Sequence, residues 1–163
     1  MAPSSRERTS VVYIALIFAL VLSAVPLPEF LAAHRPDWVA LVLLYMAIYT
    51  PGHWLMTSAL IAGLVMDALF GAPLGQYALA LIVACYLPHK LHLRLMLVPI
   101  WQATLTALLF LAVYQFVLFW VNGATNNDIG AAFHLWPIVS AIIVWPLTLV
   151  ILDTARLGRR KKS

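Results

Sequence analysis

Asp67 is the side chain that points most directly to a function, because its carboxyl group interrupts the largely apolar segment of residues 54–70. A charged group in hydrocarbon costs about 3 kcal/mol on insertion scales, so such residues usually face a protein interior and carry a role. Gly63 and Gly71, four residues before and after it, share its stripe on a helix, where small residues let another helix approach. We therefore predict a helix contact that contains Asp67, Gly63 and Gly71.

Gln115 and Ser140 are two further polar side chains in later apolar segments. A helix rises about 1.5 Å per residue. By this measure Gln115 and Ser140 lie about as far from the centres of their helices, toward the outer side of the membrane, as Asp67 lies from the centre of its own. Polar groups in lipid need partners, and a carboxyl, an amide and a hydroxyl satisfy one another. We expect the three side chains to meet in one polar layer. That layer is open to three interpretations: a structural clasp, a contact for a ligand or partner helix, or a proton relay.

The composition indicates the environment of these residues. The chain of 163 residues is 64% hydrophobic and 10% charged, with a mean hydropathy of +0.95, which is more apolar surface than a soluble domain of this length can bury. We predict an all-α fold, a polytopic integral membrane protein with a bundle of six transmembrane helices, and five helices as the alternative. The apolar runs are residues 11–25, 38–50, 54–70, 74–87, 98–121 and 135–152.

The distribution of basic residues predicts the orientation of this single transmembrane domain, residues 1–163. With cytoplasmic termini at residues 1–10 and 156–163, nine of the ten Lys and Arg residues lie inside and Arg35 alone lies outside. Such an excess of inner cations is the rule for short loops of membrane proteins. Six of the inner cations are predicted to lie at the membrane surface and contact lipid headgroups. They are Lys90, Arg94, Arg159, Arg160, Lys161 and Lys162.

Several functions are not indicated by the residue pattern. The basic residues lie at the membrane face without interleaved aromatic residues, so the pI near 9.5 does not indicate a nucleic-acid partner. Cys85 is the single cysteine, and His89 and His92 lack a third metal ligand. No Gly-x-Ser-x-Gly, His-Glu-x-x-His or phosphate-loop motif occurs. We expect a protein that is not an enzyme and takes no cofactor.

A set of short motifs carries a family resemblance through its order and spacing. The motifs are Arg35-Pro-Asp-Trp38, Leu44-Tyr45, Pro51-Gly-His53, Gly63-x3-Asp67-x3-Gly71-x3-Gly75, Trp101-Gln102 and Trp145-Pro146. Together they make the chain similar to the rod shape-determining protein MreD family of bacterial inner membranes. The turn at residues 51–53 departs from the Pro-His-Arg type expected in that family, so no basic contact is carried over there.

The resemblance implies a non-enzymatic scaffold of the cell-elongation machinery that makes peptidoglycan. The implied direct partner is the single-span protein MreC. The actin-like MreB, the glycosyltransferase RodA and a class B penicillin-binding protein would be reached through the complex. A looser resemblance, through the Gly-x3-Asp-x3-Gly helix, is to the substrate-binding subunits of energy-coupling-factor vitamin transporters, which implies a small-molecule or lipid-binding subunit as the alternative.

Two features are candidate contacts for the partner. The outer segment of residues 26–37 carries apolar residues beside Arg35 and Asp37, and Trp38 follows as an aromatic contact at the start of the second span. The stripe that contains Gly63 and Gly71 offers a groove for a single partner helix. The alternative is that both features only close this protein's own bundle.

The predicted orientation can be tested with a reporter enzyme that is active only outside the cytoplasm. The enzyme should be inactive when fused after Ser163 and active when inserted at Asn127, because nine of ten cations favour the inner side. Activity of the Ser163 fusion would contradict the six-helix arrangement.

Overall fold

The regular structure of this protein is helical. The computed structural model describes residues 5–25, 36–50, 52, 54–95, 99–124 and 131–157, and every regular element within them is an α-helix. This confirms the predicted all-α fold class, with one helix for each predicted apolar run. The helices are α1 (Ser5–Ala24), α2 (Trp38–Tyr49), α3 (Leu55–Phe70), α4 (Gln76–Leu95), α5 (Ile100–Ala124) and α6 (Ala131–Leu157).

Helix α2 is the centre of the bundle. It contacts each of the other five helices, and these form a ring in which α1, α3, α4, α5 and α6 are successive neighbours and α6 returns to α1. Every residue from Val39 to Ile48 is buried. A helix that is apolar on all sides must be covered on all sides, so the sequence of α2 places it inside the ring.

Helices α3 and α4 approach each other closely at Gly63. A Cβ atom at this position would overlap the backbone N and Cα atoms of Ala78 and lie 2.9 Å from its Cβ atom. The same side of α3 buries Ala59 and Ala62, which are also small. The close approach expected at Gly63 is therefore present, and the neighbouring helix is α4 of the same chain. A partner helix cannot occupy this position, which corrects the expected groove.

Gly71 differs from its predicted position on the helical stripe. Helix α3 ends at Phe70, and Gly71 has a φ of 62°, in the left-handed region that favours glycine. Its N–H group donates to the carbonyl oxygen of Asp67 as a helix C-cap. Gly71 therefore ends α3 and is exposed, and it does not line a helix contact.

The helix ends also differ from the apolar runs. Helix α4 continues through Pro88 to Leu95, so most of the predicted inner connection of residues 88–97 is helical. An internal proline removes one backbone hydrogen bond, but the turns on both sides can continue the helix. Lys90 and Arg94 consequently lie in the last two turns of α4.

Replacing Gly63 by Ala should destabilise the protein by about 1–3 kcal/mol, because the added methyl group collides with backbone atoms that cannot move without separating α3 from α4. The melting temperature of the detergent-solubilised protein measures this effect. Gly123→Ala is the matched control, since Gly123 also lies in a helix and a Cβ atom there meets nothing within 4 Å. Equal melting temperatures for both variants would contradict the close contact.

Candidate functional site

The carboxylate of Asp67 binds the beginning of the next helix. Its side chain is 1% exposed, its Oδ2 atom accepts a hydrogen bond of 2.8 Å from the Gly75 N–H group, and its Oδ1 atom accepts one of 2.7 Å from Tyr77. The first N–H groups of a helix have no acceptor within that helix, and the helix dipole there favours a negative charge. Asp67, near the end of α3, is therefore a cap for α4.

The turn between α3 and α4 is held by both the side chain and the main chain of Asp67. The carbonyl oxygen of Asp67 accepts a 3.0 Å hydrogen bond from the N–H group of Ala72, besides the one from Gly71. Gly75 has a φ of 96°, so this turn contains two residues in the left-handed region. These bonds leave residues 71–75 little conformational freedom.

Gln115 has a partner other than Asp67. Its Nε2 atom donates a 2.6 Å hydrogen bond to Oδ2 of Asp37, just before α2. Asn122, two turns farther along α5, accepts a 2.9 Å hydrogen bond from the side chain of Gln76 at the start of α4. Of the residues predicted to form one polar layer, Asp67 binds backbone N–H groups and Gln115 binds Asp37. Ser140 is half-buried on α6.

Three of the remaining predicted residues lie in the described helices α2 and α4. Trp38 opens α2 and is half-buried against the core. Lys90 is exposed, and its Nζ atom lies 4.7 Å from the centre of the Tyr86 ring, a cation–π contact. Arg94 is in the last turn of α4. The predicted contacts at Arg35, Arg159, Arg160, Lys161 and Lys162 lie outside the described residues.

A further polar contact joins α2 to α6 and was not predicted from the sequence. The hydroxyl group of Tyr45, in the buried centre of α2, donates a 2.6 Å hydrogen bond to Oδ1 of Asp153 on α6. The ring of Tyr49 packs at 5.1 Å from that of Tyr45. The available signal was the carboxyl group of Asp153 at the end of an apolar run, which needs a partner as Asp67 does.

The chemistry of these contacts is the joining of helices. Each of the polar pairs connects two different helices, and their donors are backbone amides, side-chain amides and a phenol hydroxyl. In the part of the chain that the structure describes, no three His, Cys, Asp or Glu residues are grouped so that they could hold a metal ion. The arrangement therefore supports the interpretation of the polar groups as structural clasps.

Comparison with known proteins agrees with this architecture. A sequence profile of the family described as rod shape-determining protein MreD matches residues 5–154. The chain belongs to the MreD family. The rod shape-determining protein MreD of Haemophilus influenzae is 28% identical to it over 143 residues, which cover 86% of each chain. No solved structure matches the chain.

The match confirms the resemblance that the motifs predicted. Membership of the MreD family implies a role in determining rod shape, and the family is a structural component of that process rather than a known enzyme family. MreD proteins are associated with the membrane in bacteria. The clasps at Asp67, Gln115 and Tyr45 are the means by which this MreD-family chain fixes its own helices.

Replacing Asp67 by Leu should destabilise the protein more than replacing it by Asn. Leucine leaves the N–H groups of Gly75 and Tyr77 without an acceptor, at about 1–3 kcal/mol each, whereas asparagine keeps one carbonyl oxygen. Melting temperature gives the total effect, and amide hydrogen exchange at Tyr77 gives the local one. Equal losses in both variants would show that the charge itself is needed, and an unaffected Leu variant would contradict the cap.

Proposed function

We propose that this chain is a multi-pass protein of the bacterial inner membrane and a non-enzymatic scaffold of the cell-elongation complex, with MreC as its direct partner. The observation that carries the proposal is the family match, which extends over residues 5–154 and so includes all the clasps described above. The function of the scaffold is to hold partner proteins in place while they organise peptidoglycan synthesis.

The outer surface of the ring fits a membrane environment. Large apolar side chains are exposed on each of its five helices, for example Phe18 on α1 and Ile61 on α3. Residues 104–124 of α5 have a mean hydropathy of 2.0 and, among the described residues, form the one helix with both the length and the composition to cross a membrane; shorter apolar stretches lie on α1, α2, α3 and α6. Lipid is the solvent that such a surface requires.

Two tryptophans on α5 fit the boundaries of this membrane layer. Trp101 and Trp120 are each 67% exposed, and their separation of 19 positions along the chain corresponds to about 28 Å of helix. The hydrocarbon core of a bilayer is about 30 Å thick, and tryptophan is enriched at both of its surfaces. The proposed inner boundary at Trp101 is at the end of the bundle that carries Lys90 and Arg94.

The partner helix is expected on the lipid-facing surface or at the outer end of the bundle. Ala78 of α4 occupies the space beside Gly63, so a helix of MreC cannot pack there. MreB, RodA and the class B penicillin-binding protein would be held through the complex, and the basic residues at the inner side would contact anionic lipids.

The alternative, a small-molecule or lipid-binding subunit, finds less support in the geometry. A ligand in the polar layer would need access to the carboxyl group of Asp67, but both oxygens of this group accept backbone N–H groups of the same chain. The side chain is 1% exposed, so a ligand would have to displace the start of α4 to reach it.

Affinity purification from membranes tests the scaffold. Tagged protein co-expressed with MreC should retain MreC through detergent washes. An MreC variant in which the transmembrane helix and outer domain are replaced should be removed by the same washes. In a rod-shaped bacterium that lacks its own MreD, the chain should also restore cell shape. Recovery of shape without retention of MreC would contradict the proposed partner, and a bound small molecule that is required for shape would favour the alternative.

A further inference from the structure

The hydroxyl group of Tyr114 is a polar group in the core that the protein's own groups do not satisfy. The side chain is 0% exposed, and within the described ranges no protein group forms a hydrogen bond with its hydroxyl oxygen. Native proteins bond nearly all buried polar groups, because an unbonded one is costly. Phenylalanine would fill the same space without that cost. The hydroxyl group therefore indicates a partner other than the side chains and backbone around it.

Two carboxyl groups lie near this hydroxyl group. Asp37, just before α2, and Asp67, in α3, are both close enough to act on Tyr114 electrostatically. Neither is in position to accept a direct hydrogen bond from it. Tyr114 itself is on α5, so three polar groups from three parts of the bundle converge without touching.

The carboxyl group of Asp67 can accept more hydrogen bonds than the cap of α4 uses. A carboxylate has about four lone-pair sites on its two oxygens. Oδ2 of Asp67 accepts one bond, from Gly75, and Oδ1 accepts one, from Tyr77. Each oxygen can therefore accept a second donor while the cap remains intact.

A water molecule has the donors and acceptors that this arrangement needs. Polar groups too far apart for a direct bond are commonly bridged by water, and a buried water typically makes about three hydrogen bonds. One water can accept the hydroxyl proton of Tyr114 and donate its own two protons to Asp37 and Asp67. A cation fits less well, because it would leave the hydroxyl proton of Tyr114 without an acceptor.

We propose that an internal water molecule binds between Tyr114, Asp37 and Asp67 and joins α5 to the start of α2 and to α3. This site is independent of any partner protein. Through it, Asp67 is connected to Asp37 and so to Gln115, whose side-chain amide donates to Asp37. The polar residues that the sequence predicted to meet are then linked by water rather than by direct contact.

Solid-state NMR of the full chain in lipid bilayers tests the site directly. With carbon-13 tyrosine, the Tyr114 signal is identified by its loss in Tyr114→Phe, and transfer of magnetisation from water to each ring is then measured. Tyr45 is the matched control, because it is equally buried at 0% exposure but donates directly to Asp153. Transfer to Tyr114 should be faster than to Tyr45. Equally slow transfer to both rings would overturn the inference.

Thermal stability gives a second test that does not depend on detecting the water. Tyr114→Phe should lower the melting temperature of the detergent-solubilised protein by about 2–4 °C, the shift that one lost hydrogen bond causes in a chain of this length. Tyr86→Phe is the control and should cause no shift, because Tyr86 is 49% exposed. An unchanged melting temperature for Tyr114→Phe would overturn the inference.

A double-mutant cycle and an ion exchange identify what lies between the groups. Asp37→Asn keeps a carbonyl oxygen for Gln115, and its loss of stability should be smaller in the Tyr114→Phe background, because groups that share a water are coupled. Strictly additive losses would contradict a shared water. Replacing sodium by choline in the buffer should leave the unmodified chain unaffected. A fall in melting temperature that Tyr114→Phe abolishes would assign the site to a cation and overturn the inference.

Discussion

The carboxylate of Asp67 and the N–H groups at the start of α4 form the interaction on which the rest of the structure depends. The bond fixes how α3 turns into α4, and this geometry brings the backbone of Gly63 against that of Ala78. Without a cap, the first N–H groups of α4 would remain unpaired in a region with little water. A single carboxyl group therefore satisfies the helix terminus and determines the angle at which two ring helices meet.

The central helix depends on the ring in a different way. Helix α2 is apolar on every side, so dispersion and burial hold it in place but give little preference for one rotation about its axis over another. Asp37, just before the helix, joins it to α5, and Tyr45, about two turns farther along, joins it to α6. Directional hydrogen bonds of this kind specify register in an otherwise apolar core, as a polar residue does in a coiled coil. The two bonds are eight residues apart, so together they fix both the height and the rotation of α2.

The sequence allowed the helices to be predicted, but only some of their partners. Apolar runs gave the number and order of the helices, and the small side chain of Gly63 gave the close approach of a neighbour. The partner of Asp67 could not be predicted because it is a pair of backbone N–H groups, which every residue type except proline possesses. The bond from Tyr45 to Asp153 joins residues 108 positions apart, a distance that no local pattern encodes. The continuation of α4 beyond Pro88 was missed because a proline at the end of an apolar run usually ends a helix.

The use of polar groups inside the bundle has a consequence for the partners. Asp67, Gln115 and Tyr45 are engaged within the chain, and the exposed sides of the ring helices are apolar. An apolar side of a membrane helix gains little from exchanging lipid for a protein helix, since lipid tails are equally apolar. Specific recognition is therefore more effective at the ends of the bundle, where turns and charged groups meet water and where a fixed backbone can distinguish one partner from another. In this fold the buried carboxyl group of Asp67 fixes such a turn at one end of the bundle, so the same residue that stabilises the bundle also determines the shape of the exposed surface there.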